Sequence, residues 1–233
     1  MQNLSKKGKK TKKKSKEEVA EEETSEESTE EIEQEEEAPP QQMSLMDLLG
    51  GGQGADTPEA RSIMFVGEVT EERAADLISA LLVLSQTKAP DAERTEPIKL
   101  YVSTYGGSAD EMFGIYDVVN YCKKFCDIET IGLGKVMSAG TLMLASGTKG
   151  KRKLGKHCRV MIHAVNGGQV GDIHNLQNEL EQTVSLQDSY IQALSHETNM
   201  TKRQIQTLIN RKVNVYLTAE EAIEKGLADE ILE

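Results

Sequence analysis

The order of elements in this 233-residue chain predicts an α/β fold with parallel strands and right-handed crossovers. Three observations carry the expectation. Strand-like and helix-like runs alternate three times between Ile63 and Ser146, and two of the strand runs end on small residues, Gly106-Gly107 and Ser138-Ala139-Gly140. The apolar periodicity is confined to residues 59–233, which are expected to form one domain behind a disordered charged tail and linker, 1–58. Sites in such folds lie at the carboxyl ends of strands, so the two small-residue turns should be neighbours in space.

Residues 6–16 are mostly lysine and residues 17–37 mostly glutamate with Ser and Thr. A segment with so few apolar side chains cannot bury enough surface to offset the entropy of ordering. Residues 43–49 make a short amphipathic piece, stopped by Gly50-Gly51-Gly52. Residues 63–69 then read as a buried strand, Thr70 as an N-cap and 71–84 as a helix with Ala74, Leu77, Ile78, Leu81 and Leu82 on one stripe. Residues 98–103 form the second strand, and 109–123 the second helix, with Met112, Ile115, Val118 and Val119 inward. Residues 126–133 alternate as a third strand, and the small apolar run 140–146 suits a buried helix.

Residues 159–163 are a further strand ending in His163. From 171 to 197 a long helical pattern carries Ile173, Leu176, Leu180, Val184, Gln187, Ile191 and Leu194 on a narrow stripe. A helix that long exceeds what this core needs, so one face is expected to pack on another subunit. Thr201 caps a helix to Asn210, 213–217 is extended, Thr218-Ala219-Glu220-Glu221 is a capping box, and Gly226 ends the last helix.

Charge narrows the function classes. The net charge is −12, and residues 1–42 hold eight lysines against thirteen glutamates, so the rest of the chain carries −7. An acidic body argues against nucleic acid as the partner, since phosphate binding needs a concentrated basic face. Three cysteines without a CxxC pair fit a reducing compartment. No apolar run approaches a membrane span and no signal-peptide pattern opens the chain, so a cytoplasmic location and no membrane partner are expected.

Ser138 stands on the corner between the third strand and its helix, where Ala139 and Gly140 leave room for a substrate backbone. It is the candidate nucleophile, and the competing reading is an ordinary N-cap. Acyl transfer needs a nucleophile, a base, a group that orients the base and N–H donors for an oxyanion. Ser138, His163, the polar segment Val213-Asn214-Val215-Tyr216 and the Gly106-Gly107 turn supply an occupant for each role. Other polar residues lack a pattern: Cys122 and Cys126, His157 and Cys158, and His174 and His196 do not make a zinc set. Gly106-Gly107 lacks the Lys and Ser or Thr of a phosphate-binding loop, so no cofactor is expected and ATP would be used only through a partner ATPase.

Over residues 63–232 the chain resembles the family of the Clp protease proteolytic subunit, ClpP. The matching stretches are Tyr101-Val102-Ser103-Thr104-Tyr105-Gly106-Gly107-Ser108, Val136-Met137-Ser138-Ala139-Gly140, Gly147-Thr148-Lys149-Gly150-Lys151-Arg152, Arg159-Val160-Met161-Ile162-His163 and Leu217-Thr218-Ala219-Glu220-Glu221-Ala222 leading to Gly226-Leu227-Ala228-Asp229. The resemblance implies a ClpP/crotonase-like β-α spiral with 171–197 as a long handle helix that pairs two heptameric rings into a chamber. It implies a serine endopeptidase subunit of the ATP-dependent type, cutting unfolded proteins, with Ser138 as nucleophile and His163 as base. It places the oxyanion donors on the backbone N–H groups of Gly107 and Ala139, and substrate-strand pairing on Ser108, Ala109 and Val165.

The chain departs from the family pattern in four places. Asn214 stands where the family has the third-member aspartate, Tyr105 where it has proline, and Ala139 where it has methionine. The short N-terminal gating loop has no clear counterpart, which leaves an AAA+ unfoldase as a possible partner only. Asparagine can accept a bond from the histidine but supplies no charge, so weak activity rising toward alkaline pH is expected, unless Asp172 reaches His163. The alternatives are a phage-type enzyme maturing capsid or scaffold proteins, a ring subunit that has lost catalysis, and a crotonase-fold enzyme acting on an acyl-CoA thioester.

Overall fold

The computed structural model describes residues 61–88 and 92–232; the expectations for the charged tail and for the piece at 43–49 lie outside the described residues. Within them the chain runs β1 (Ser62–Val66), α1 (Glu71–Gln86), β2 (Ile98–Thr104), α2 (Ala109–Cys122), β3 (Ile128–Met137), α3 (Ala139–Ala145), β4 (Lys153–Gly155), β5 (Arg159–Ile162), α4 (Ile173–Glu197), α5 (Lys202–Ile209), β6 (Val215–Leu217), α6 (Ala219–Glu224) and β7 (Glu230–Leu232). Thr70, Thr201 and Thr218 each cap the helix that follows, and the latter two form full capping boxes.

The sheet is parallel from β1 through β2, β3 and β4 to β7, and it forks at β3. The first half of β3 pairs with β4 through Ile131 and Gly132, and the second half pairs with β5 through Lys135, Val136 and Met137. Gly134, at φ 65°, lies between the two halves. β3 therefore runs on to Met137, four residues past the strand read from the sequence, and carries Ser138 on its end. β6 joins the forked branch antiparallel to β5, the one departure from the parallel pattern among the described strands. β4 and β7, three residues each, were not anticipated from the sequence because they are too short to show a period.

The core gathers the inward residues of the sheet, Leu100, Val102 and Val136, with Leu81 and Ile115 of the covering helices. All seven residues of α3 are buried, and Leu142 and Leu144 each contribute on the order of 1.5–3 kcal/mol by leaving water. The long stripe of α4 divides. Ile191 and Leu194 are buried in this core, whereas Ile173, Leu176, Leu180 and Val184 are 68, 39, 64 and 51 % exposed. Every residue from Ile173 to Ser189 is exposed or half-buried, so the first half of the helix packs on little of its own chain.

Candidate active site

β3 delivers Ser138 to the start of α3 with φ 54° and ψ −121°. Residues with a Cβ avoid that region, at a cost on the order of 1–3 kcal/mol, so the surroundings must hold it there. The N-cap alternative does not describe this serine. Ser138 occupies the cap position but its side chain accepts no helix N–H. Its Oγ lies instead 2.7 Å from Nε2 of His163. The contact follows from strand register: Met137 is opposite Met161 in the β3/β5 pair, and the Ser138 N–H donates to the Met161 carbonyl at 2.9 Å, so the strands end side by side.

The Gly106-Gly107 turn closes against the same corner. A Cβ on Gly106, whose φ is 105°, would lie 2.5 Å from Ser138 Cβ and 3.0 Å from its Oγ. A Cβ on Gly107 would fall 2.3 Å from the Val69 carbonyl oxygen, because Val69 is laced to this turn. Its N–H donates to the Gly106 carbonyl and its carbonyl accepts from the Ser108 N–H, both at 2.9 Å. Among the described residues, the N–H groups of Gly107 and Ala139 are given to no protein acceptor.

These groups line a cleft of about 590 Å³. Met112, Met137, Met161 and Ala164 make its apolar wall, and Ser138, His163 and Asn214 its polar one. Gly107, Ser108, Ala109, Ala139 and Val165 also line it, so every site residue named from the sequence is brought to this one cleft. The two strand-end turns are neighbours, as the parallel fold requires.

Burial lowers the pKa of His163 below the ordinary 6.5, and among the described residues no carboxylate opposes that shift. Asp172 does not supply one. Its carboxylate caps α4, accepting the N–H groups of His174 at 3.0 Å and Asn175 at 3.2 Å, which corrects the expectation that it could stand in for the missing charge. Asn214 lies one step beyond the Val215 and Ile162 pair of the antiparallel ladder, which puts it opposite His163. Its side chain is exposed and makes no hydrogen bond to the imidazole.

Two groups that support this region escaped the sequence reading. Thr141 bonds to the Ser138 carbonyl and to the buried Tyr190, whose hydroxyl lies 3.4 Å from the same carbonyl, and Tyr190 joins the cleft wall. Arg152, 4 % exposed, forms a two-pronged pair with Asp229 at 2.9 and 2.6 Å and also donates to the carbonyls of Ala145 and Glu197. Buried tyrosine and arginine need partners, and that need is the signal that could have flagged both. Cys122, Cys126 and Cys158 are buried free thiols, and among the described residues no cluster of three or more His, Cys, Asp or Glu could hold a metal ion.

A hydroxyl against an imidazole, beside two unengaged N–H groups at the carboxyl ends of parallel strands, has the chemistry of an acyl-transfer hydrolase. The fold and the cleft meet in a known protease family. The Clp protease family profile matches residues 56–233, and the chain belongs to that family. It is 34 % identical over 171 residues to the ATP-dependent Clp protease proteolytic subunit 2 of Thermobifida fusca (strain YX), a match that covers 73 % of this chain and 80 % of that protein. No helix among the described residues is long and apolar enough to cross a membrane.

Proposed function

We propose that this chain is a serine endopeptidase subunit in which Ser138 is the nucleophile, His163 the general base and Asn214 the third member. The observation that carries the reading is the 2.7 Å contact between Ser138 Oγ and His163 Nε2, made by a serine that is held at positive φ and does not cap its helix. In the acylation step Ser138 Oγ attacks the scissile carbonyl while its proton passes to Nε2. The N–H groups of Gly107 and Ala139 receive the oxyanion. Collapse breaks the C–N bond, the amine leaves with the proton from His163, and water then hydrolyses the acyl-serine by the same route.

The substrate is an extended, unfolded peptide whose backbone pairs with Ser108, Ala109 and Val165 along the cleft rim. The methionine-rich wall suits an apolar side chain next to the cut bond. The exposed apolar stripe of α4 supports assembly with further copies, in which that face is covered. A thioester enzyme would not need the serine, and the contact with His163 favours the peptidase. Any ATP dependence, as in the name of the relative, would lie with a partner ATPase.

One observation favours a second reading, a ring subunit with little catalysis: among the described residues His163 has no carboxylate partner. Hydrolysis of an unstructured fluorogenic peptide decides between them. The wild type cleaves and Ser138→Ala and His163→Ala do not; equal traces from all three would leave the structural role.

A further inference from the structure

We propose that Tyr190, acting through Thr141, is a positioning residue that holds the Ser138–Ala139 peptide so that the Ala139 N–H points into the cleft; this rests on the peptidase reading above. Tyr190 belongs to α4, 52 residues along the chain from Ser138, and is 4 % exposed. Its hydroxyl lies 2.5 Å from Thr141 Oγ1 and 3.4 Å from the Ser138 carbonyl oxygen. Thr141 in turn donates to that carbonyl twice, from Oγ1 at 2.7 Å and from its N–H at 3.0 Å.

Each hydroxyl has a single hydrogen, and the carbonyl takes the one that lies nearer, from Thr141 Oγ1 at 2.7 Å rather than from the Tyr190 hydroxyl at 3.4 Å. The Thr141 hydrogen goes to the carbonyl, so the Tyr190 hydrogen goes to Thr141 Oγ1, and each bond polarises the next. Burial pushes the Tyr190 phenol up to about 12, against the opposing effect of the Thr141 bond, so it remains a donor throughout any assay range.

The consequence comes from peptide geometry. A trans peptide is planar, with its C=O and N–H on opposite sides, and the described chain contains no cis bond. Fixing the Ser138 carbonyl on the protein side therefore fixes the Ala139 N–H on the other, toward the cleft that Ala139 lines. Ser138 sits at a strained φ and ψ, and turning this one peptide is the route by which the strain would relax. The Tyr190 and Thr141 relay blocks that turn.

Tyr190→Phe removes only the hydroxyl and keeps the ring in the cleft wall. Loss of an oxyanion donor costs about 10²–10³-fold, and mis-aiming one costs less, so inactivation by a fluorophosphonate should slow roughly tenfold at saturation. The half-saturating concentration should not change. Thr141→Val should match it, and Thr141→Ser, which restores the hydroxyl, should keep most of the wild-type rate. Tyr190→Phe reacting at the wild-type rate would overturn the inference. Should that variant melt early or change mass, Thr141→Val carries the same decision. Should the wild type itself fail to react at Ser138, the peptidase reading is what has failed. A crystal structure of Tyr190→Phe then decides the inference separately: a turned 138–139 peptide supports it, and an unmoved one refutes it.

Discussion

Replacing Asn214 by Asp places a carboxylate opposite His163 in the β5/β6 ladder, one step past the Val215 and Ile162 pair. Directly opposed residues of an antiparallel pair hold their Cβ atoms about 4.5–5.5 Å apart. Two unit charges at about 5 Å attract by about 1 kcal/mol in water and about 3 kcal/mol at an effective dielectric of about 20. Asn214 is exposed and His163 half-buried, so the lower part of that range applies, about 1–2 kcal/mol. In the proposed mechanism an imidazolium forms as Ser138 gives up its proton, and its stabilisation should speed acylation roughly five- to thirtyfold. The gain stays below the ~10⁴-fold that separates Asp from Asn in a trypsin-type triad, because that loss comes largely from the wrong imidazole tautomer and not from the missing charge alone.

The pH profile provides a second reading of the same variant. Burial holds the His163 pKa below 6.5, so the imidazole is already a neutral base at pH 7, and the wild-type rate should rise on the acid side of 6.5 and stay flat above it, which replaces the rise toward alkaline pH expected from the sequence. An added negative charge favours the imidazolium, so the acid limb of Asn214→Asp should move to higher pH while the plateau rises. The assay is hydrolysis of a small peptide ester from pH 5 to 9, with mass and melting temperature as controls. A plateau that changes less than twofold, or a limb that moves downward, in a folded and assembled variant would refute the reasoning.

Other substitutions test the frame around the site. Gly106→Ala drives a Cβ to 2.5 Å from Ser138 Cβ at a φ of 105°, so peptidase activity should fall at least a hundredfold, and a melting curve should show a loss of about 1–3 kcal/mol. Leu180→Glu puts a charge in the middle of the exposed stripe of α4, and light scattering should report a smaller assembly with unchanged circular dichroism; an unaltered mass would mean that this face is not an interface. Asp229→Asn leaves the Arg152 guanidinium buried without its counter-charge, which should cost about 3–5 kcal/mol in denaturant unfolding. Burial works to raise the Asp229 pKa, but the bonds from Arg152 and Gly150 outweigh it and hold it below the ordinary 3.8. The pair's stabilisation is therefore present above pH 3.8 and lost as pH falls through the folded value, a loss that Asp229→Asn should not show.

Local signals in the sequence located much of this architecture. Three threonine caps marked helix starts because a cap is a short-range bond between a side chain and the N–H three residues on. Ser138 and His163 were legible because each follows a strand whose apolar residues announce it, and the parallel fold brings strand ends together. The fork in β3 was not legible. It depends on Gly134 at positive φ and on which of two strands pairs with each half, and neither leaves a periodic trace. The α4 stripe looked continuous from Ile173 to Leu194, yet only its end is buried in this chain, since periodicity reports an apolar face without saying what covers it. Tyr190 stood unnoticed beside Ile191, because its partner Thr141 is 49 residues away. Asn214 lines the cleft, as its place beside the last strands suggests, but that Asp172 is committed to its own helix cap needed the geometry.

The central claim is that Ser138 is activated by His163 for attack on a peptide carbonyl, and the direct measurement is where a fluorophosphonate bonds. Intact mass should show one adduct per chain, and peptide mapping should place it on Ser138. The adduct should be absent in Ser138→Ala and strongly slowed in His163→Ala. Ser138→Ala labelled to the same extent as the wild type, or an adduct mapped to another residue, would contradict the account.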